Sequence, residues 1–490
     1  MAVVDRLVRE ARALLGADLV ELASHVVLIV LLTHVFLTPR GYGRLNFVLS
    51  AVRTVGILAT VGLQKATARY VTEFVETAPG QLPYLLRRSL AYLTTTVVAF
   101  VGVLVLFGSP LVRFAGLSTL APFVLVGGVL VVAEVYSGYF AAIFQGFNRV
   151  TWTAVQGVVS GVSRLVLVVA LVWIGFGVVG AVVGYLLASA AAAVVGGVVF
   201  YVRFYRRFDA ADAPAAGLSK RLLGYSLPLL VSLGANALDK KVDVVLVGVF
   251  LNMTSVGYYT VAKQVSDVVS MPATAFGFTV SPAIGEQRSR ERLDRAATLY
   301  QRSLQYVLLL YLPGVVGLAL VAGPTVTDVF GSAYRPAVPI VQVYGGFILV
   351  NAVDKVTTDG LDYLGRAPSR ATARTATGIG NFLLNLLLIP QIGVLGAAIA
   401  SVVTYTIYAC TNVYLIHQEL AFDLRTVART VGRVGLVALG MAVVVWLVLS
   451  TASGVLSLPE AVLAGVATWG ALSIGTGVLE IRKIERALVG

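Results

Sequence analysis

Charged side chains are scarce in this chain. They make up 12% of its 490 residues, about half the share of a soluble domain. A water-soluble fold of this length needs far more charge to cover its surface. Cysteine is almost missing. Cys410 stands alone in an apolar run, which excludes an intrachain disulfide and a thiolate metal cluster. Long polar stretches are missing too: the longest connection, 65–88, has about two dozen residues, and no Asp-x-Asp occurs anywhere. That leaves little room for a separate soluble domain or a sugar-transferring active site.

Apolar runs fill the rest. Hydrophobic residues reach 58% and the mean hydropathy is +0.89, the profile of an integral membrane protein. A helical span needs about 20 apolar residues to cross about 30 Å of hydrocarbon. Fourteen runs qualify, at 16–37, 42–64, 89–108, 119–145, 152–175, 178–202, 222–251, 258–282, 303–322, 336–362, 370–391, 393–416, 430–450 and 457–479. The first 15 residues, with Arg6, Arg9 and Arg12, read as an amphipathic interfacial helix; the run behind them is too long for a signal peptide.

The net charge of +13 does not point to nucleic acid, because the cations sit in short tracts between apolar runs. Counted along the alternating connections, with cations in the outermost five positions of a span assigned to its connection, 27 Lys and Arg fall on one side, 4 on the other and 6 deeper inside spans. This bias predicts a multi-pass cell-membrane protein with both termini in the cytoplasm.

The two halves echo one another. Gly41-Tyr42 matches Gly257-Tyr258, and Gly177-Val-Val-Gly180-Ala181 matches Gly393-Val-Leu-Gly396-Ala397, both at an offset of 216. Phe107-Gly108-Ser109 answers Phe330-Gly331-Ser332, and Gly127-Gly128 answers Gly345-Gly346. Six spans separate the copies, so both halves share one orientation, as in parallel-repeat transporters. The expected fold is all-α and polytopic. A bundle of six helices with the amphipathic helix covers 1–202, a cytoplasmic linker 203–221 and a second bundle of six helices 222–417. Residues 418–490 form an appended helix pair and a cytoplasmic tail.

Lys241-Val-Asp243-Val-Val-Leu-Val-Gly-Val-Phe-Leu, leading to Val256-Gly257-Tyr258-Tyr259-Thr-Val-Ala262, resembles the seventh span of polysaccharide exporters. Asn381-Phe-Leu-Leu-Asn385-Leu-Leu-Leu-Ile-Pro390-Gln-Ile-Gly393-Val-Leu-Gly396-Ala-Ala-Ile-Ala is still more typical of them, and Ala68-Arg69-Tyr70-Val71 also fits. The group is the oligosaccharide flippases (Wzx type) of the multidrug/oligosaccharidyl-lipid/polysaccharide exporter superfamily. The resemblance covers essentially the whole chain. It implies two six-helix bundles facing each other across a central cavity. It also implies transfer of an oligosaccharide linked to a polyprenyl or dolichyl phosphate from the inner to the outer leaflet, with no cofactor and no resident metal.

Prominent among the charges within the expected spans are thirteen: Arg53, Arg164, Lys240, Lys241, Lys263 and Lys355, with Glu21, Glu134, Asp239, Asp243, Asp267, Asp354 and Asp359. Facing lipid at about 3 kcal/mol each, they would cost roughly 40 kcal/mol. Most must therefore border water, pair, or snorkel. At 100° per residue, Ser232, Asn236, Asp239, Lys240 and Asp243 share one stripe of span 7, with Lys241 outside it. Asn46, Ser50, Arg53, Thr60 and Gln64 share another on span 2.

Phosphate-binding candidates are Arg53 and Arg164 first, then Lys240, Lys241 and Lys263, with Asn236 beside them. Asp239, Asp243 and Glu134 are candidates for coupling to protons or sodium, the structural alternative being that such acids bridge basic neighbours. Glu21, Asp354 and Asp359 read as interfacial or paired.

Near-equal numbers of acids and bases keep a second reading open, a multidrug exporter of the same superfamily acting on organic cations; a membrane glycosyltransferase is a third. Gly175-Phe-Gly177-Val-Val-Gly180 spells a dinucleotide-binding pattern but lies between apolar spans, so it reads as a helical hairpin. Asn252-Met-Thr254 is a glycosylation sequon in a tight loop, His25 and His34 read as packing residues, and Gly157 with Gly161 as a close helix contact.

Overall fold

A computed structural model describes residues 2–477 apart from 115 and 452–456; the side chains of 2–15, 231–241 and 278 lie outside the described residues. Among those described there is no strand. Contacts group the chain into two compact units, Met1–Gly257 and Tyr258–Gly490.

The first unit holds α1 (Ala2–Val30), α2 (Pro39–Thr60), α3 (Leu63–Thr77), α4 (Leu82–Val103) and the short α5 (Ser109–Phe114). It continues with α6 (Ala121–Gly146), α7 (Val150–Leu171), α8 (Gly177–Arg203) and α9 (Leu218–Phe250). α10 (Met253–Ser289) starts in it. The second unit adds α11 (Leu293–Phe330), α12 (Val338–Tyr363), α13 (Ala367–Ile392), α14 (Val394–Leu420), α15 (Leu424–Thr451) and α16 (Ser457–Gly475).

Among the described residues eleven helices are long and apolar enough to cross a membrane, or up to twelve if one bent pair counts as a span. One of the eleven, Val150–Arg207, contains both α7 and α8, and α9 has side chains outside the description. Fourteen remains the count read from the sequence.

Two differences from the sequence reading concern the ends of spans. α1 runs unbroken from Ala2 into the first span, with no joint after residue 15. The second span is not one straight helix. α2 and α3 meet at 48°, because Val61 (φ 47°) and Gly62 (φ 70°) both adopt left-handed backbone. Gly62 is the residue that fits: a Cβ there would lie 2.5 Å from the Ser226 carbonyl oxygen of α9. Gln64 consequently sits beyond the bend, donating to the Val135 carbonyl at 2.9 Å.

The internal repeat has a backbone basis. Gly177 (φ 52°, ψ −133°) opens α8 and Gly393 (φ 65°, ψ −143°) opens α14, 216 residues apart and in nearly the same conformation, one that L side chains rarely adopt. Three residues on, Gly180 lies against the Leu171 carbonyl and Gly396 against the Leu388 carbonyl, where a Cβ would come within 2.9 and 2.4 Å. Each half thus uses glycine to turn a tight helical hairpin, and the Gly175–Gly180 pattern is such a turn between α7 and α8. Within lipid, where hydrophobic burial drives helices together weakly, this close backbone approach is the main source of packing.

Apolar side chains fill what the glycines leave. In the first unit Leu63, Val71, Leu82, Leu85, Leu93, Ile143 and Leu222 are fully buried together; in the second Ile284, Tyr300, Ile348, Val356, Leu361 and Ile416 form the corresponding core.

α2 crosses the start of α10 without side chains between them. A Cβ on Gly257 would lie 2.2 Å from the Pro39 carbonyl oxygen, and one on Gly43 would overlap the Met253 carbonyl. Gly257→Ala should therefore destabilise the protein by about 1–3 kcal/mol, as overpacking does. Gly378→Ala, with nothing within 4 Å of its Cβ, should not. Thermal melting of both variants in detergent tests this.

Asp423 starts α15 in the loop after α14, accepting from the Arg425 N–H at 2.9 Å and the Thr426 hydroxyl at 2.6 Å. These bonds, the Thr426 hydroxyl first, hold its carboxyl below the usual range. A depressed carboxylate contributes stability that is present above its unfolded pKa of about 3.9 and lost as pH falls through its folded value. The melting difference between wild type and Asp423→Asn should accordingly be full at pH 6 and shrink steadily below about pH 4.

Candidate functional site

Four of the charges stranded in the spans of the first unit pair across helices. Arg53 on α2 donates through Nε to Glu134 Oε1 on α6 at 3.3 Å, with side chains 39% and 27% exposed. Both groups are half-buried, the setting in which an ion pair is desolvated yet still reachable. Arg164 on α7 approaches Glu21 on α1, with Nη2 to Oε1 at 3.7 Å. Its guanidinium also lies 5.7 Å from the centre of the Tyr185 ring of α8, a distance at which the ring face stabilises a cation. Removing either partner of such a pair would leave an uncompensated charge at depth.

The glycines next to the second pair explain how it forms. A Cβ on Gly157 would sit 3.1 Å from Glu21 Oε2, and one on Gly161 3.3 Å from Glu21 Cα. The bare strip on α7 lets α1 approach until the carboxylate lies across it. The small-residue pair is thus both a packing surface and the seat of Glu21.

Of the span 7 stripe, Asp243 is 3% exposed and its Oδ1 accepts from the Val244 N–H at 2.8 Å. Asn236, Asp239, Lys240 and Lys241, like Ser232, have side chains outside the described residues. In the second unit Lys263 on α10 stands 5.8 Å above the Tyr259 ring. Among the described residues, Arg53 and Glu134 are two of the nine candidates that meet directly.

Sequence reasoning passed over the most elaborate polar cluster, around Asp354 on α12. This carboxylate is 3% exposed. It accepts from the Tyr405 hydroxyl at 2.9 Å and from Asn412 Nδ2 at 2.8 Å, both on α14. Tyr405 also lies 2.9 Å from Asn351 Oδ1, and Arg374 of α13 stacks on the rings of Tyr405 and Tyr408 at 5.1 and 4.8 Å.

Beside it, Asn381 Nδ2 donates to Thr404 Oγ1 at 3.0 Å and Asn385 Nδ2 to Asn381 Oδ1 at 2.9 Å. A signal was present. Asn351, Asp354 and Thr358 recur at helical spacing on one span, as do Thr404, Tyr405, Tyr408 and Asn412 on another. Asp354 is paired, as expected, but with neutral donors.

At the ends of the second unit's helices the pairs are ordinary. Glu419 meets Arg288 at 3.4 Å and Arg366 at 2.7 Å, and Asp362 takes a two-pronged grip from Arg370 at 2.8 and 2.9 Å. Asn252 of the sequon accepts from the Ser255 N–H at 2.9 Å and so caps the start of α10. Groups of three or more His, Cys, Asp or Glu able to hold a metal are absent among the described residues.

Comparison with known proteins places these features. The chain is 24% identical over 358 residues to the probable flippase AglR of Haloferax volcanii, an alignment covering 71% of each protein. It is 24% identical over 194 residues to the probable low-salt glycan biosynthesis flippase Agl15 of the same organism; there it spans 41% of the relative's length and 40% of its own. Its fold superposes on the lipid II flippase MurJ in an inward closed conformation with a TM-score of 0.77, covering 99% of this chain and all of that one at 13% identity. Residues 7–288, more than half the chain, match the family model described as polysaccharide biosynthesis protein. This multi-span membrane protein is a member of the polysaccharide biosynthesis protein family.

Proposed function

We propose that the protein is a flippase, a transporter and not an enzyme. It carries an oligosaccharide linked to a polyprenyl- or dolichyl-type phosphate from the cytoplasmic to the outer leaflet by alternating access, for assembly of a surface polysaccharide or glycoprotein. Both termini are cytoplasmic in this reading, which rests on the 27-to-4 distribution of Lys and Arg. The physical obstacle is the headgroup: each hydroxyl and phosphate oxygen would lose its water in hydrocarbon. A polar lining replaces that water while the lipid tail stays in the membrane.

The observation that carries the proposal is the Arg53–Glu134 pair within a chain of this family. Glu134 engages Arg53 through Nε, and the terminal nitrogens of the half-exposed guanidinium are the two-pronged end that suits a phosphate. Without cargo, Glu134 neutralises Arg53. A phosphate arriving at the Nη end competes for the same charge. Glu134, displaced, is then neutralised by a proton, which ties cargo binding to proton uptake. Arg164, Lys263 and, on α9, Asn236, Lys240 and Lys241 are further headgroup contacts, and Asp239 and Asp243 further coupling acids.

The test is a flipping assay. The full chain is reconstituted in liposomes with a fluorescent polyprenyl-phosphate-linked oligosaccharide, and leaflet exposure is read with a quencher that does not cross the membrane. Wild type should flip the lipid, and Arg53→Ala should slow it about tenfold or more, the loss of one charge-assisted bond of at least about 1.5 kcal/mol, with Arg53→Lys in between. Unaltered flipping in Arg53→Ala would reject the headgroup role. Efflux of a cationic dye without lipid flipping would favour a multidrug exporter instead.

Coupling has its own readout. Glu134→Gln should still flip the lipid but lose the acceleration that an imposed pH gradient gives the wild type; a retained acceleration would remove Glu134 from the coupling step.

A further inference from the structure

α10 departs from the hydrogen-bond ladder of a spanning helix and makes good the loss with a neighbour's side chain. Pro272 stands inside it and has no N–H, so the Val268 carbonyl loses its donor one turn on. The next rung is altered as well. In an unbroken helix the Ala273 N–H would bond the Val269 carbonyl. Here the Ala273 N–H donates to the Tyr311 hydroxyl of α11 at 2.8 Å, and that hydroxyl donates to the Val269 carbonyl at 3.1 Å. One phenol oxygen bridges the two groups of the rung.

α11 is held at the same level. Pro313, two residues past Tyr311, withholds a donor from the Leu309 carbonyl. Trp469 of α16 supplies one through Nε1 at 3.1 Å. α10 is thus served from α11, and α11 from α16. Tyr311 is 4% exposed and Ala273 1%, so the bridge is closed to bulk water.

Backbone groups at bilayer depth must stay bonded, which ordinarily keeps a spanning helix regular. A rung bridged by a hydroxyl can widen or narrow with both bonds kept. Beside a proline, an inserted side chain of this kind is where a helix bends. The half of α10 before the bridge carries Lys263 over the Tyr259 ring, and the half after it runs to Ser289. We propose that residues 268–273 form a pivot in α10, held open by the Tyr311 hydroxyl, which swings the half bearing Lys263 during transport. Tyr311 is a positioning residue, since it acts through α10 and not on the cargo. What the swing serves rests on the flippase reading; the open rung does not.

Hydrogen–deuterium exchange of the full chain in lipid nanodiscs, read on peptides covering 268–276, separates a pivot from ordinary packing by the sign of the change. Tyr311→Phe keeps the ring and removes the hydroxyl. The Ala273 N–H can then bond Val269 directly, and exchange should slow about fivefold, the scale of one net hydrogen bond. A hydroxyl that merely stabilises the helix predicts the opposite, faster exchange. In the liposome assay the same variant should flip the lipid about fivefold more slowly at saturation, with half-saturation unchanged. If Tyr311→Phe melts early, Pro272→Ala is read in its place: it returns a donor to the Val268 carbonyl, and exchange and flipping should slow alike. Exchange that is faster or unchanged in the well-folded variant overturns the pivot, and so does flipping at the wild-type rate once exchange has slowed. A wild type that does not flip the lipid rejects the flippase reading alone and leaves exchange to decide the pivot.

Discussion

Placing ionic groups at bilayer depth is the constraint on which the rest of this structure depends. A single charge facing hydrocarbon costs about 3 kcal/mol or more, so each one fixes the helix opposite it. Arg53 demands that α2 lie beside α6 with Glu134 in reach. Arg164 demands that α1 approach α7 closely enough for Glu21 to cross it, and Gly157 and Gly161 supply that approach by having no side chains. Polar pairing and glycine packing are therefore one device, since the ion pair sets which helices meet and the glycines set how near they come. The half-exposure of Arg53 and Glu134 makes the first pair exchangeable, whereas Arg164, with its side chain 13% exposed, is held between a carboxylate and a ring.

Much of this was legible in the residues. The helical class and the membrane setting follow from the length of the apolar runs, and the paired glycine turns from the spacing of Gly177-Val-Val-Gly180 and Gly393-Val-Leu-Gly396, because those features act locally. Partnership was not legible. Glu134 lies 81 residues from Arg53 and Glu21 lies 143 from Arg164; no helical period links such positions, so each charge could be flagged but not matched.

The bend at Val61-Gly62 was hidden for another reason. A lone glycine in an apolar run ordinarily stays helical at a cost near 1 kcal/mol. Here Val61 and Gly62 both turn left-handed, and the Ser226 carbonyl of α9, 2.5 Å from where a Cβ would be, reserves the place for glycine, a tertiary fact. Asp354 was undervalued because its partners, Tyr405 and Asn412, are neutral, and a search for opposite charges does not see them.

The two matching glycine turns share a backbone conformation, while the acids on nearby helices differ in their partners. Gly177 and Gly393 take nearly the same dihedral angles where each opens its helix. Measured from the matching glycine pairs, Glu134 stands seven residues past Gly127, whereas Asp354 stands nine past Gly345. Two residues turn a helix through about 200°. Glu134 meets an arginine of α2, while Asp354 meets a hydroxyl and an amide of α14.

An acid bonded to arginine can lose its partner to a competing anion, whereas an acid bonded to neutral donors has no cation to lose. The two acids thus occupy different electrostatic settings within one chain, one against a guanidinium and the other among neutral donors.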